Sequence, residues 1–256
     1  MRKMLFIFNP RTGGGRLRGK LMQILCLFSG AGYEVTVHPT AAPGDARSVA
    51  AEKAENYDLV VCCGGDGTLN EVVGGLMQCE NPPELGYIPG GTTNDFANSL
   101  QLPRSDMIKA AQRVVKPKKV FACDVGLFNE RVFNYVAAFG AFTDVPYKTP
   151  QTCKNVLGYS AYILEAIQKL PSIHPYNITV QCDKGSFSVE FIYGMLSNST
   201  SVGGSYFMGQ HKVQMDAGLF EALLLRYPQN ISYLRQLSAS PLTQDPSSLF
   251  FLSFLL

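Results

Sequence analysis

Apolar positions in the first half of the chain follow two rhythms in turn. Short unbroken runs (Met4–Phe8, Tyr33–His38, Tyr57–Cys63 and ELGYIP at 84–89) each give way to a turn and then to a helix-like segment. Such runs predict strands buried on both faces. Leu17, Leu21, Ile24, Leu25 and Phe28 recur at the spacing of one helix face, and Gly30 and Gly32 close that segment. PGDARSVAAEKAEN starts with turn residues and continues in good helix formers. Leu69 to Met77 predicts a further helix, and GGTTNDFANSL a glycine turn that leads into another. Strands alternating with helices up to about residue 115 predict an α/β unit, a parallel sheet with helices on both faces.

The rhythm then changes. Lys118–Phe128, Arg131–Phe139, Tyr176–Asp183 and Ser186–Ser197 read as strands, with FNER and DKGS as hairpin turns between pairs of them. One helix, Val156 to Leu170, interrupts this series and is stopped by Pro171. The expected organisation is an α/β domain over 1–118, a mainly antiparallel β-sandwich domain over 119–236, and an atypical tail over 237–256. The tail, LSASPLTQDPSSLFFLSFLL, has no clean period and ends in an apolar run, which suggests a β domain that lacks its last strands.

Composition narrows the class. Of 256 residues 46% are apolar and 16% charged, enough for a sizeable core and against global disorder. A net charge of +2 gives no reason to expect a nucleic-acid partner. Seven cysteines without framework spacing suit a reducing compartment, and Cys62-Cys63 reads as buried core thiols. The apolar runs at both ends are too short for the ~20 residues of a membrane span. His38, His174 and His211 are dispersed, with no zinc-ligand spacing.

The chemistry lies in three glycine-bearing loops, each after a predicted parallel strand: NPRTGGG, CGGDGTLNE and PGGTTND. Strand ends of an open α/β sheet share one edge, where ligands bind. Glycines let main-chain N–H groups approach a ligand, and a following helix adds free amides and partial positive charge, a setting that suits phosphate. GGDGTLNE therefore reads as a cradle for a nucleoside polyphosphate, with Asp66 facing the phosphates through a metal ion or a positioned hydroxyl. A tight strand-to-helix turn with Asp66 or Thr68 as helix N-cap is the alternative. No Gly-Lys-Ser/Thr follows, and the spacing is not GxGxxG.

FNPRTGGG, CGGDGTLNEVVGGL and IPGGTTNDFANSL together resemble the bacterial diacylglycerol kinase and lipid kinase family, to which sphingosine and ceramide kinases are related. The resemblance runs from Met4 to about Tyr227 and takes in LSNSTSVGG and DAGLFEALLL. It implies an N-terminal α/β domain, a C-terminal β-sandwich, an active site between them, and ATP-dependent phosphorylation of a lipid hydroxyl such as that of diacylglycerol. By position, Asn9, Pro10, Arg11, Thr12 and Gly13 match the first ATP-contacting loop, and Thr40 matches a nucleotide contact. Gly64, Gly65, Asp66, Gly67, Thr68, Leu69, Asn70 and Glu71 match the main phosphate loop, Gly91 and Thr92 a further contact, and Asn94-Asp95 a brace of the site. ATP and Mg²⁺ are the implied cofactors. The implied partners are nucleotide, lipid and a transiently visited membrane surface, which points to the cytoplasm and the inner membrane surface. A homodimer is left open.

Two departures bear on activity. Where the family carries Asp-Asp-Gly-Leu, this chain has Asp216-Ala217-Gly218-Leu219, and a methyl group cannot ligate a hard cation. Main-chain oxygens of Gln214 and Leu219, with Asp216, remain as metal ligands; Asp216 as an exposed turn residue is the alternative. The family's late Asp-Gly-Glu motif, with its general base, is not found after residue 220, so weak or absent transfer is expected. An NAD kinase-like enzyme and a non-catalytic nucleotide-binding remnant are the competing readings. Arg11, Arg16, Arg18 and Lys20 read as a solvated helix face or as a site of phosphate or anionic-lipid attraction. The aromatics Phe133, Tyr135, Phe139, Phe142, Tyr147, Tyr159 and Tyr162 read mostly as sandwich core, some of them as an acyl-chain groove.

Overall fold

A computed structural model describes residues 1–140, 143, 174–182, 185–199, 215–226 and 251–255. The chain divides into two compact units. The first is built on residues 1–135, with 199 and 215–217 added from later in the chain; the second takes the other described residues.

The first unit holds a parallel sheet of β1 (Arg2–Phe8), β2 (Tyr33–Pro39), β3 (Leu59–Gly64) and β4 (Glu84–Pro89), in the order β2-β1-β3-β4. Between them run α1 (Leu21–Gly30), α2 (Asp45–Lys53) and α3 (Asp66–Leu76). After β4 come α4 (Asp95–Ser99) and α5 (Met107–Val115). The unbroken apolar runs are explained by two cores. Met4, Phe6 and Phe8 of β1 pack with Val61, Cys63 and α1 and α5 residues such as Phe28 and Ala111. Leu5 and Ile7 point the other way, into a cluster with Val60, Cys62, Val49 of α2 and Val72 of α3. Side chains alternate across a strand, so both faces must be apolar when helices cover both. Burial pushes the Cys63 thiol up to about 12 and that of Cys62 well above its ordinary value, as suits core sulfurs.

The second unit carries an antiparallel sheet of β7 (Val136–Gly140), β8 (Tyr176–Cys182), β9 (Gly185–Ser197), β10 (Glu221–Arg226) and β11 (Phe251–Leu255). β10 lies along one edge of β9, and β7 and β8 share the other. Where those two meet, the Phe139 and Tyr176 rings stand edge to face, 5.7 Å between centroids.

Two expectations need correction. Residues 118–128 do not form one strand: only β5 (Gly126–Phe128) does, paired in a hairpin with β6 (Arg131–Phe133). The run 131–139 breaks at Asn134 and Tyr135, because the Asn134 N–H leaves the ladder for the side chain of Asn70 in α3, 3.1 Å away. Of the tail, the described residues Phe251–Leu255 form β11, which pairs with β10 from Leu225↔Phe251 to Glu221↔Leu255. The expected helix 156–170, together with His211, Phe142, Tyr147, Tyr159 and Tyr162, lies outside the described residues.

Candidate functional site

The strand order contains one reversal. From β1 the chain moves outward to β2, then crosses back to β3 on the other side of β1. The loops after β1 and β3 therefore diverge and leave a crevice at the carboxyl edge of the sheet, the usual ligand position in such folds. Three main-chain bonds extend the ladder past the strands and fix the loops there. The Asn9 N–H donates to the Cys63 carbonyl (3.0 Å), the Thr40 N–H to Phe8 (2.9 Å) and the Gly90 N–H to Gly64 (2.8 Å).

A hollow of about 620 Å³ opens at this edge. The first loop lines it with Asn9, Pro10, Arg11, Thr12 and Gly13, and the segment after β2 with Thr40, Ala41, Ala42 and Pro43. The start of α3 adds Gly65, Gly67, Thr68 and Glu71, and the loop after β4 adds Gly91 and Thr92. Ala41, Ala42 and Pro43 were not singled out from the sequence; they follow Thr40 in a stretch whose only signal was Pro-Gly-Asp.

Local chemistry explains each wall. The Asn9 Oδ1 accepts the Arg11 N–H at 2.9 Å, which turns the chain sharply after β1. Gly13 then takes φ +60°, a conformation that a β-carbon disfavours. Gly65 and Gly91 approach so closely that a β-carbon on Gly91 would lie 2.6 Å from the Gly65 Cα. Asn94 holds Gly91 from both sides: its Oδ1 accepts the Gly91 N–H (2.8 Å) and its Nδ2 donates to the Gly91 carbonyl (2.9 Å). The buried Tyr87 hydroxyl donates to the Gly64 carbonyl at 3.1 Å. In α3 the first intrahelical bond runs from the Leu69 N–H to the Gly65 carbonyl, so the amides of Gly67 and Thr68 precede it at the helix mouth.

The other sequence-derived positions lie elsewhere. Asp66 turns away from the hollow: its carboxylate accepts the N–H groups of Asp95 and Phe96, each at 3.2 Å. Burial raises the Asp66 carboxyl above the usual carboxylate range, against the two amide bonds, and the nearby Asp95 carboxylate adds to the rise. Leu69 is a core residue and the Gly64 main chain closes the sheet end. Asn70 reaches the hairpin, its Nδ2 donating to the Val132 carbonyl at 3.3 Å.

Arg11 and Glu71 are the lining residues of this hollow with full charges. The Glu71 Oε1 accepts the Gly44 N–H at 2.9 Å. Asp45 shapes the same wall: its carboxylate accepts the Ala41 N–H at 2.7 Å and meets the His38 Nε2 at 3.2 Å.

The 214–219 segment does not build a cage for a hard cation from its described residues. Gln214 lies outside them, Asp216 and Ala217 are exposed in a turn, and Leu219 is exposed. Among the described residues no group of three or more His, Cys, Asp or Glu stands together as a metal-ligand set.

Comparison with known proteins agrees with this architecture. The family of the diacylglycerol kinase catalytic domain matches residues 3–126. A diacylglycerol kinase of Bacillus subtilis (strain 168) is 36% identical over 236 residues, 92% of this chain and 77% of that protein. A diacylglycerol kinase of Staphylococcus saprophyticus is 36% identical over 199 residues, 77% of this chain and 65% of its own length. A crystal structure of a diacylglycerol kinase from Bacillus anthracis str. Sterne superposes with a TM-score of 0.73 at 25% identity, covering 99% of this chain and 83% of that one. A second structure from that organism gives a TM-score of 0.78 at 24% identity, over 99% and 82%, and shares the fold. The glycine loops, the sheet they crown and this sequence identity over most of the chain lead to one assignment: the chain belongs to the diacylglycerol kinase family.

Proposed function

We propose that this chain binds ATP, as its magnesium complex, in the hollow at the sheet edge and transfers the γ-phosphoryl group to a lipid hydroxyl such as that of diacylglycerol. One observation carries the reading: three glycine loops, each following a parallel strand, surround one hollow of about 620 Å³. Phosphoryl transfer depends mainly on positioning and charge neutralisation, which main-chain amides and a basic residue such as Arg11 can supply. The nucleotide is the task of residues 1–118 in this reading. An acceptor held in a membrane implies transient contact with its inner surface; among the described residues no helix is long and apolar enough to cross it.

A second reading, nucleotide binding without transfer, is favoured by the lining itself. Among the described lining residues Glu71 is the one carboxylate, and no second acid stands beside it to take a proton from an alcohol.

Labelled ATP and Mg²⁺, offered with diacylglycerol micelles and in parallel with NAD, test these readings. Label in the lipid supports the proposal. Label in NAD replaces it with an NAD kinase, and ATP binding without label in either acceptor favours the second reading.

A further inference from the structure

Among the described lining residues the hollow carries one cation, Arg11, and one carboxylate, Glu71, and the carboxylate restricts what a bound nucleotide can place beside it. Arg11 lies on the loop after β1, the amides of Gly67 and Thr68 at the start of α3, and Glu71 one turn further into α3, tied to the segment after β2 through the Gly44 N–H. A polyphosphate carries several negative charges, and like-charge repulsion disfavours its direct contact with the Glu71 carboxylate. What faces Glu71 must offer hydrogen-bond donors.

Distance narrows the choice. Glu71 lies one helical turn beyond the amides of Gly67 and Thr68, about 6 Å along the axis for four residues at about 1.5 Å each. From a phosphate seated at those amides, the part of a nucleotide within that reach is the sugar; the base lies farther out. One Glu71 oxygen is held by the Gly44 N–H, which fixes the carboxylate and leaves its second oxygen for a ligand. Thr40 lines the same hollow with a further hydroxyl.

We infer that Glu71 is the acceptor for the ribose hydroxyls of the bound nucleotide and so determines the preference for ribonucleotides over deoxynucleotides. This rests on the nucleotide reading above and reassigns Glu71, which the sequence placed with the phosphate loop, to the nucleoside end. A site built to hydrogen-bond a substrate hydroxyl rejects the analogue that lacks it, since the charged acceptor is then left without its donor.

The test is calorimetric binding of ATP, 2′-deoxy-ATP, 3′-deoxy-ATP and inorganic tripolyphosphate to the wild-type chain and to Glu71→Gln. The glutamine retains an oxygen for the Gly44 N–H but loses the charge. The wild type is expected to bind ATP about 10- to 100-fold more tightly than at least one deoxy analogue. In Glu71→Gln that preference falls to about 3-fold or less, while tripolyphosphate binds as well as before, which also shows that the variant is folded. The inference is overturned if the variant discriminates as the wild type does, if the wild type shows no preference, or if tripolyphosphate binding falls in step with ATP. A wild type that binds neither ATP nor tripolyphosphate overturns the nucleotide reading as well.

Discussion

The main-chain N–H of Phe96 donates to the carboxylate of Asp66 across 3.2 Å, from a residue thirty positions later in the chain. The acid that opens the helix after β3 thus caps the helix after β4, with the Asp95 N–H as a second donor. The loops that face the hollow from β3 and β4 are tied together behind it by this side chain.

Replacing Asp66 with alanine leaves those two amides without an acceptor in a largely buried place. The expected loss is about 1–3 kcal/mol of folding stability, read as a lower urea midpoint at unchanged slope. Asp66→Asn retains an acceptor oxygen and is expected to lose less than half as much. Equal losses for the two variants would show that the caps contribute little.

Asp66 and Asp45 titrate in opposite senses. Burial raises the Asp66 pKa above its unfolded value of 3.8. Its protonated form therefore favours the fold below that pH, and the gain is lost as pH rises through the raised value. The Asp45 pKa is lowered from 3.8, first by the Ala41 N–H bond and, against the opposing effect of burial, by the adjacent His38. Its contribution is present above that pH and is lost as pH falls through the lowered value. Melting curves from about pH 2.5 to pH 6 should show Asp66→Asn removing part of the decline above 3.8 and Asp45→Asn part of the decline below it. The reverse assignment would contradict both directions.

Gly91→Ala places a methyl group 2.6 Å from the Gly65 Cα and 2.8 Å from the Asn94 Oδ1, so one loop must move. Overpacking of this kind costs about 1–3 kcal/mol. ATP affinity is expected to fall by at least about tenfold, because the displaced loops form the walls of the hollow. A variant that melts lower yet binds ATP as the wild type does would remove these glycines from the nucleotide contact.

Asn70 joins α3 to the hairpin by two bonds, Nδ2 to the Val132 carbonyl and Oδ1 from the Asn134 N–H. Asn70→Ala breaks both and is expected to cost about 1–3 kcal/mol. Hydrogen exchange should rise first at residues 126–134, while β1 and β3 stay protected. Uniform acceleration over the first unit would mean that the hairpin is held by other contacts.

Some of this could be read from residue patterns and some could not. Met4–Phe8 and Leu59–Cys63 are apolar on both faces, and only a sheet covered by helices on both sides buries such runs, so the α/β unit was legible. The tail at 251–255 was not: an apolar run without a period has no partner until β10 supplies an edge with matching register. Nor was the break at Asn134, whose N–H finds its acceptor on a helix sixty-four residues earlier.

For the site, local sequence determined where the backbone turns, because glycine and asparagine set φ and short-range bonds whatever lies around them. Only the tertiary structure decided which turns share one hollow. The order β2-β1-β3-β4 sets the loops after β1 and β3 on either side of a crevice, and pairing order is a property of the whole sheet. The same holds for the two acids in GGDGTLNE. In sequence both fall within the stretch that matches a phosphate loop, but helix geometry turns Asp66 to a neighbouring helix and leaves Glu71 on the wall, since residues five apart need not face the same neighbours.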